Sequence, residues 1–509
     1  MKKLPGSQAA SVSLLRKAAG DAWGRQDFGA YFDLMGRAKL LAPDDPALLL
    51  DLGAAYGLRT EFPQAIELLE RAVEKSRDKS RMLALVGYVC REFQRYDLAA
   101  HYLGLAAQEP GASPETLAKL AEMKERLRET SEAEAAVERA LKLDSKCQLA
   151  LLVQTRLNRV AGRLDEAERT MRFLLARSDR SGESTRVRGW YELAAILDRQ
   201  GRYDEAIAAL ITGKKIIAPN AAATIAARKN IYRELQQAAG ELSANHFKKW
   251  REIDPDPTGR RLALIGGHPR SGTTLLEQVL DAHSNIVSAE ETEIFFNTYY
   301  ETARDPSRPM VSMLDSLSAP VVRSARESYF RRMDFFVSGT ARDRLLIDKN
   351  PSLTGLIPGM LCVIPQIQII IALRDPRDVC LSCFMQHIGD RYLTLEATVD
   401  EYCSLMGFWL AIKPLLPAPA LEIRYEDVVK DMRAEAEKTL RFLNLDWEPA
   451  VLNFTDHARK KVIRSPTYAE VARPIHQGAI GRWRHYHEHL EPYLGKLAPL
   501  VEAFGYEAD

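Results

Sequence analysis

Apolar positions in the first two hundred residues recur at helical spacing. Ala65-Ile66-x-x-Leu69-x-x-Ala72-Val73 places a continuous apolar stripe on one face of a helix. A longer period lies over this one. Ala65, Ala99, Ala133 and Ala167 are each 34 residues apart, and so are Ala38, Ala72, Ala106 and Ala140. Small residues let two antiparallel helices approach closely, while the larger apolar positions fill the interface with the next pair. Breakers such as Gly162-Arg163 and Gly201-Arg202 fall between the stripes. The pattern predicts stacked helical pairs, with a further helix around 221–250 capping the stack.

After residue 250 the texture changes. Asp254-Pro255-Asp256-Pro257-Thr258-Gly259 has the composition of a linker. Leu262-Ala263-Leu264-Ile265 is then a short apolar run, suited to a buried strand. It leads into Gly266-Gly267-His268-Pro269-Arg270-Ser271-Gly272-Thr273-Thr274, and the residues from Leu275 to Leu280 read as a helix. A strand, a glycine-rich loop and a helix make an anion site, because the first N–H groups of the helix point at the ligand and its dipole favours negative charge. Gly267 and Gly272 have the spacing of a nucleotide-triphosphate loop, but Thr273 stands where that motif requires lysine. The loop carries its cation at Arg270 instead. Three further segments read as strands that end in polar residues: Leu345-Leu346-Ile347 before Asp348-Lys349, Ile367 to Leu373 before Arg374, and Leu421-Glu422-Ile423 before Arg424-Tyr425. Open α/β sheets place their sites at such strand ends.

These features resemble two known families. The 34-residue register is similar to tetratricopeptide repeats over about residues 10–218, with Leu52-Gly53-x-x-Tyr56 and Leu69 at the expected offsets and Pro43 closing the previous unit. Trp190-x-x-Leu193 to Ala206 forms a later unit, after an insertion around Ser178 to Ser184; Cys90 and Lys124 stand where an aromatic is usual. Pro269-Arg270-Ser271-Gly272-Thr273-Thr274 resembles the 5′-phosphosulfate loop of sulfotransferases that use 3′-phosphoadenosine-5′-phosphosulfate (PAPS). The continuation Leu280-Asp281-Ala282-His283 and Glu290-Glu291-Thr292 is similar to the tyrosylprotein sulfotransferase branch.

The second resemblance spans about residues 260–490 and implies the rest of a site. Ser271, Gly272, Thr273 and Thr274 would hold the 5′-phosphate. Arg374 and Ser382 match ligands of the 3′-phosphate; a guanidinium suits that dianion because it is planar, charged and multidentate. Tyr425 would lie near the nucleotide. Gly478-Ala479-Ile480-Gly481-Arg482-Trp483 resembles the loop that closes over PAPS. Glu291 would be the general base, and Arg270, Lys349 and Thr467 would stabilise the transferring group. The expected architecture is an N-terminal all-α tetratricopeptide-like solenoid (10–218), a capping helix and linker (219–258) and a C-terminal α/β P-loop-like sulfotransferase domain with a central parallel sheet (259–509). With the motif set complete after Arg260, a fragment starting near Pro255 is expected to fold and bind the product 3′-phosphoadenosine-5′-phosphate (PAP).

Composition narrows the alternatives. Lys plus Arg is 70 and Asp plus Glu is 69, which gives bulk nucleic-acid binding no support. The six cysteines are sparse, so reduced thiols in the cytoplasm are expected. No stretch has the ~18 apolar residues of a membrane span. The Cys380-x-x-Cys383 pair and the alternating His485, His487 and His489 lack partners that would make a metal site, and no metal is expected. The acceptor would be a hydroxyl: a peptide or protein tyrosine, a small phenol, a sugar or a lipid-linked hydroxyl. The tyrosylprotein branch has Thr-Arg after its glutamates, where this chain has Thr292-Glu293; that arginine contributes to peptide recognition. Solenoids of this kind usually dock a peptide or protein. Two other readings compete: a P-loop kinase or NTPase, and a binding scaffold with an inactive transferase domain.

Overall fold

In the computed structural model, the described residues are 6–25, 27–177, 182–303, 305, 307–337, 343–460 and 477–507. They form two compact units, Met1–Val153 and Gln154–Asp509.

The first unit is built from antiparallel helical pairs, such as Pro46–Leu58 with Phe62–Lys75 and Lys79–Glu92 with Tyr96–Gln108. The register alanines 38, 65, 72, 99, 106, 133 and 140 are all buried. Glycines hold the same period. A Cβ on Gly53 would lie 2.8 Å from Leu69, and one on Gly87 would lie 2.7 Å from Leu103, so these positions let the paired helices touch. The turns repeat as well. Thr60, Gln94 and Arg128 are left-handed, with φ of 63°, 61° and 65°. The next N–H in each case reaches back to close the preceding helix: Glu61 to Tyr56, Arg95 to Cys90 and Glu129 to Lys124, all at 2.9 Å.

The second unit begins with the same motif. Gly162 and Gly201 take the left-handed position, and Arg202 N–H reaches Leu197 O at 2.9 Å between the helices Glu183–Arg199 and Tyr203–Ile217. The segment read as one capping helix is two, Ala222–Glu241 and Ala244–Arg251, and Ser243 and His246 form the capping box of the second.

The sheet consists of β1 (Leu262–Gly267), β2 (Ile286–Ser288), β3 (Leu345–Lys349), β4 (Gln368–Leu373) and β5 (Leu421–Arg424). All pairings are parallel, in the order β2-β3-β1-β4-β5. After β1 the chain builds β2 and β3 on one side and β4 and β5 on the other. The order therefore switches direction at β1, and a crevice opens at the C-terminal strand ends there.

Alternate residues of each strand face different cores. Leu262, Leu264, Ile369 and Ile371 join one cluster, while Ala263, Ile265, Ile347 and Ile370 join the other. The first cluster also takes in Leu235, Ala238, Leu242, Phe247 and Trp250. A fragment starting at Pro255 would lose all five. The two helices before the linker are part of the sheet's core, and this packing weighs against the expectation that the fragment folds alone.

Candidate active site

The site is assembled at the C-terminal ends of β1, β3 and β4. β1 closes on Gly267, whose φ is 125° and whose Cβ, if present, would lie 2.4 Å from Ala372 O of β4. Only glycine fits there. Thr354 secures the turn by accepting from Gly267 N at 2.7 Å and donating to Gly267 O at 2.8 Å. Arg270 is left-handed at φ 73°, an uncommon state for a residue with a side chain. Gly272 (φ 88°) then starts the helix Thr273–Asp281, and a Cβ on it would meet the Tyr425 ring at 2.7 Å. Ser271, Thr273 and Thr274 are buried around this helix start.

Two arginines converge on the loop. Arg270 Nε donates to Ser382 Oγ at 3.0 Å, and Arg374 Nη1 donates to Arg270 O at 3.2 Å. The Arg374 guanidinium also lies 5.1 Å from the centre of the Tyr425 ring. Arg270, Gly272, Arg374, Ser382 and Tyr425 are thus contiguous, although they come from β1, β4 and β5 and the segments that follow them. Arg374 is buried, and its Nε has no hydrogen-bond partner among the described residues. A buried cation with an orphaned donor, beside the start of the helix Thr273–Asp281, fits an anion such as a phosphate.

The Gly478–Trp483 segment meets the same place. Ala479 O accepts from Arg374 Nη2, and both oxygens of Asp378 receive backbone donors, Gly481 N at 2.7 Å and Trp483 N at 2.8 Å. Burial holds the Asp378 carboxyl above its usual range, with the Arg374 charge opposing the shift. Trp483 is buried beneath the Arg377 guanidinium, 4.1 Å from its ring centre. Gly478 lies in an exposed turn. Arg482 pairs with Asp198 at 2.5 Å. Thr467 lies outside the described residues.

A second cluster sits at the end of β3, which pairs with β1 through Ile265 and Lys349. Lys349 is fully buried; its Nζ donates to Glu291 Oε1 at 2.7 Å and lies 3.3 Å from Glu277 Oε2. Burial alone would lower the lysine's pKa. The nearby carboxylates of Glu277, Glu291 and Glu290 reverse that and hold it above the ordinary value. The Glu291 side chain is 36% exposed and is the outward-facing member of the cluster. Glu277, fully buried, also accepts from Ser288 Oγ. Sequence reasoning passed over Glu277 and Thr354. The one signal for Glu277 was a carboxylate one turn into the helix that follows the phosphate loop. Glu277→Gln keeps the shape and removes the charge, so it is expected to destabilise this unit by ~1–3 kcal/mol. Urea unfolding of the variant and wild type checks this.

Of the alternating histidines, His485 stacks on Tyr203 with centroids 4.7 Å apart, and His489 pairs with Asp204 at 2.9 Å. Among the described residues, no group of three or more His, Cys, Asp or Glu is placed to hold a metal ion. No helix among them is long and apolar enough to cross a membrane.

Comparison with known proteins agrees with both halves of the chain. Residues 263–449 match the sulfotransferase family, and residues 41–115 and 156–213 match the tetratricopeptide repeat. An uncharacterized protein of Aquifex aeolicus (strain VF5) is 22% identical over 61% of this chain and 41% of its own length; the chain therefore spans less than half of that relative. Protein-tyrosine sulfotransferase 1 of Danio rerio is 24% identical over 48% of this chain and 72% of its own. The sulfotransferase domain of the Synechococcus PCC 7002 olefin synthase is 19% identical, covers 51% of this chain and 99% of its own, and superposes with a TM-score of 0.36. The matched segment contains Arg270, Glu291, Lys349, Arg374, Ser382 and Tyr425 and stops before Gly478. With these residues gathered at the C-terminal edge of a parallel sheet, 263–449 is a sulfotransferase-family domain carried behind tetratricopeptide repeats.

Proposed function

We propose that this protein transfers a sulfuryl group from PAPS to an acceptor hydroxyl. The observation that carries the reading is the Arg270–Ser382–Arg374 constellation at the glycine loop and helix start, one strand from the Lys349–Glu291 pair. PAPS supplies the sulfuryl group: the bond from sulfur to the phosphate oxygen breaks, a bond to the acceptor oxygen forms, and PAP leaves.

The chain's residues do the rest. Ser271 to Thr274 hold the 5′-phosphate at the helix start. Arg374, with its orphaned Nε, and Ser382 hold the 3′-phosphate, and Tyr425 packs beside them. Glu291, the exposed carboxylate, takes the acceptor proton. Lys349 and Arg270, with Thr467, carry the charge that develops between donor and acceptor. Gly478, Gly481, Arg482 and Trp483 belong to the segment that covers the nucleotide. No residue in this scheme is assigned to a metal.

A relative acts on protein tyrosine, and the repeats offer a surface for a peptide, so a peptide or protein tyrosine is the leading acceptor. Glu293, exposed where that branch has arginine, favours a different peptide charge or a non-peptide hydroxyl. All six cysteines are free thiols, which supports a reducing, cytoplasmic setting.

Arg374→Ala tests the nucleotide assignment. It is expected to weaken PAP binding by ~1.5–3 kcal/mol, the size of hydrogen bonds to a charged group. Calorimetry with PAP measures it, and unchanged affinity would remove the 3′-phosphate assignment. Transfer of labelled sulfate from PAPS to a panel of hydroxyl acceptors, tyrosine peptides included, tests the reaction itself.

A further inference from the structure

The segment that covers the nucleotide site is held by two carboxylates from different helices. Asp378, on the helix Pro376–Met385, binds it by its backbone at Gly481 and Trp483. That helix also carries Ser382, the partner of Arg270. The other carboxylate is Asp198, in the last turn of the repeat helix Glu183–Arg199. It binds the segment by its side chains: Arg482 Nη2 and Tyr486 OH both reach Asp198 Oδ1 at 2.5 Å. The neighbouring turn adds Tyr203, which stacks on His485 with an interplanar angle of 14° and meets Tyr486 edge-on at 5.2 Å.

Held this way, the chain has little freedom between Gly481 and Tyr486. Gly481 is left-handed at φ 67°, and a short 3₁₀ helix runs from Arg482 to Tyr486. Burial would lower the pKa of Arg482, but the bond to Asp198 raises it. Arg482 therefore has a built partner outside the nucleotide site, and its guanidinium acts as a tether for the backbone on either side of it. The carbonyl that caps Arg374, Ala479 O, lies three residues before Arg482.

We propose that Asp198, a residue of the last repeat pair, is a positioning residue for the nucleotide site: through Arg482 and Tyr486 it fixes the Gly478–Trp483 segment over Arg374. Asp198 lies outside the residues that match the sulfotransferase family. The repeat pair is then a working part of the donor site as well as a candidate docking surface. The proposal rests on the PAPS reading given above.

Calorimetry with PAP on the full chain tests it, using wild type, Asp198→Ala, Arg482→Ala and the double variant, with thermal unfolding of each. Asp198→Ala is expected to raise the PAP dissociation constant about tenfold, within the range of couplings between residues in one network. The loss in the double variant is expected to be smaller than the sum of the two single losses, because Asp198 acts partly through that side chain and partly through Tyr486. If Asp198→Ala does not fold, Asp198→Asn is measured in its place. Wild-type affinity in the Asp198 variant, with or without a lower unfolding temperature, overturns the proposal, as do losses that simply add in the double variant. If wild type itself fails to bind PAP, the donor reading falls first. If wild type binds and Arg374→Ala does not, while Asp198→Ala binds normally, that reading stands and this one is lost.

Discussion

Glu291→Gln is expected to lower turnover by about a hundredfold or more while leaving PAP affinity almost unchanged. The substitution removes the group assigned to the acceptor proton and keeps its shape. Glu291 is the exposed member of the Lys349 cluster, so an acceptor can reach it, and no described contact ties it to Arg374 or Ser382. Binding and chemistry should therefore separate: Arg374→Ala weakens PAP with the base in place, and Glu291→Gln stops the chemistry with PAP in place. Single-turnover kinetics with PAPS and an established acceptor, alongside calorimetry with PAP, read the two effects independently. Near-normal turnover in Glu291→Gln would move the base elsewhere, with Glu290, buried beside it, as the next candidate. A loss of PAP affinity equal to that of Arg374→Ala would mean that the two clusters are not separate sites.

The second large effect concerns folding. A chain starting at Pro255 is expected to be insoluble, whereas one starting at Gln148, which keeps the helix Gln148–Val160 whole and contains the whole second unit, is expected to fold. The difference lies in the sheet's core. Phe247 and Trp250 have no exposed surface, and the indole N–H of Trp250 donates to Asp315 at 2.9 Å. Truncating one large buried aromatic costs ~3–5 kcal/mol, a large share of the ~5–15 kcal/mol that holds a typical domain together. Deleting both, with Leu235, Ala238 and Leu242, exceeds what remains. Trp250→Ala in the full chain isolates part of the effect; urea unfolding should show a loss of ~3–5 kcal/mol in the unit that contains it. A soluble Pro255 fragment that binds PAP, or a Trp250→Ala loss below about 1 kcal/mol, would show that these helices only rest on the domain.

The repeats and the phosphate loop were legible in the chain because both are local. A 34-residue register needs no partner to be seen, and Ala65, Ala99 and Ala133 are buried where it places them. A strand that runs into Gly267 and Gly272 and then a helix is likewise written in consecutive residues. Their φ values of 125° and 88°, with neighbours under 3 Å from any Cβ, are the physical reason that those positions are glycine. Arg374, Lys349 and Tyr425 could be picked out because each follows or ends a strand-like run, and a parallel sheet brings such ends together; Ser382, inside the helix Pro376–Met385, was reached through the family resemblance.

What the chain alone left open depends on contacts between distant segments. The chain places a capping helix around 221–250 without showing what it packs against; the tertiary structure puts Leu235, Ala238 and Leu242 in the sheet's core. Glu277 reads as one acidic residue of a helix until β3 brings Lys349 to it, and a buried lysine then requires that carboxylate for its charge. In the sequence Arg482 belongs to the loop that resembles the one closing over PAPS, and only the folded chain pairs it with Asp198, 284 positions earlier. Periodicity and loop chemistry travel along the backbone and are visible in one dimension. The pairing of buried charges is settled only where the fold sets two remote side chains within hydrogen-bond distance, because the cost of burying either one alone selects its partner.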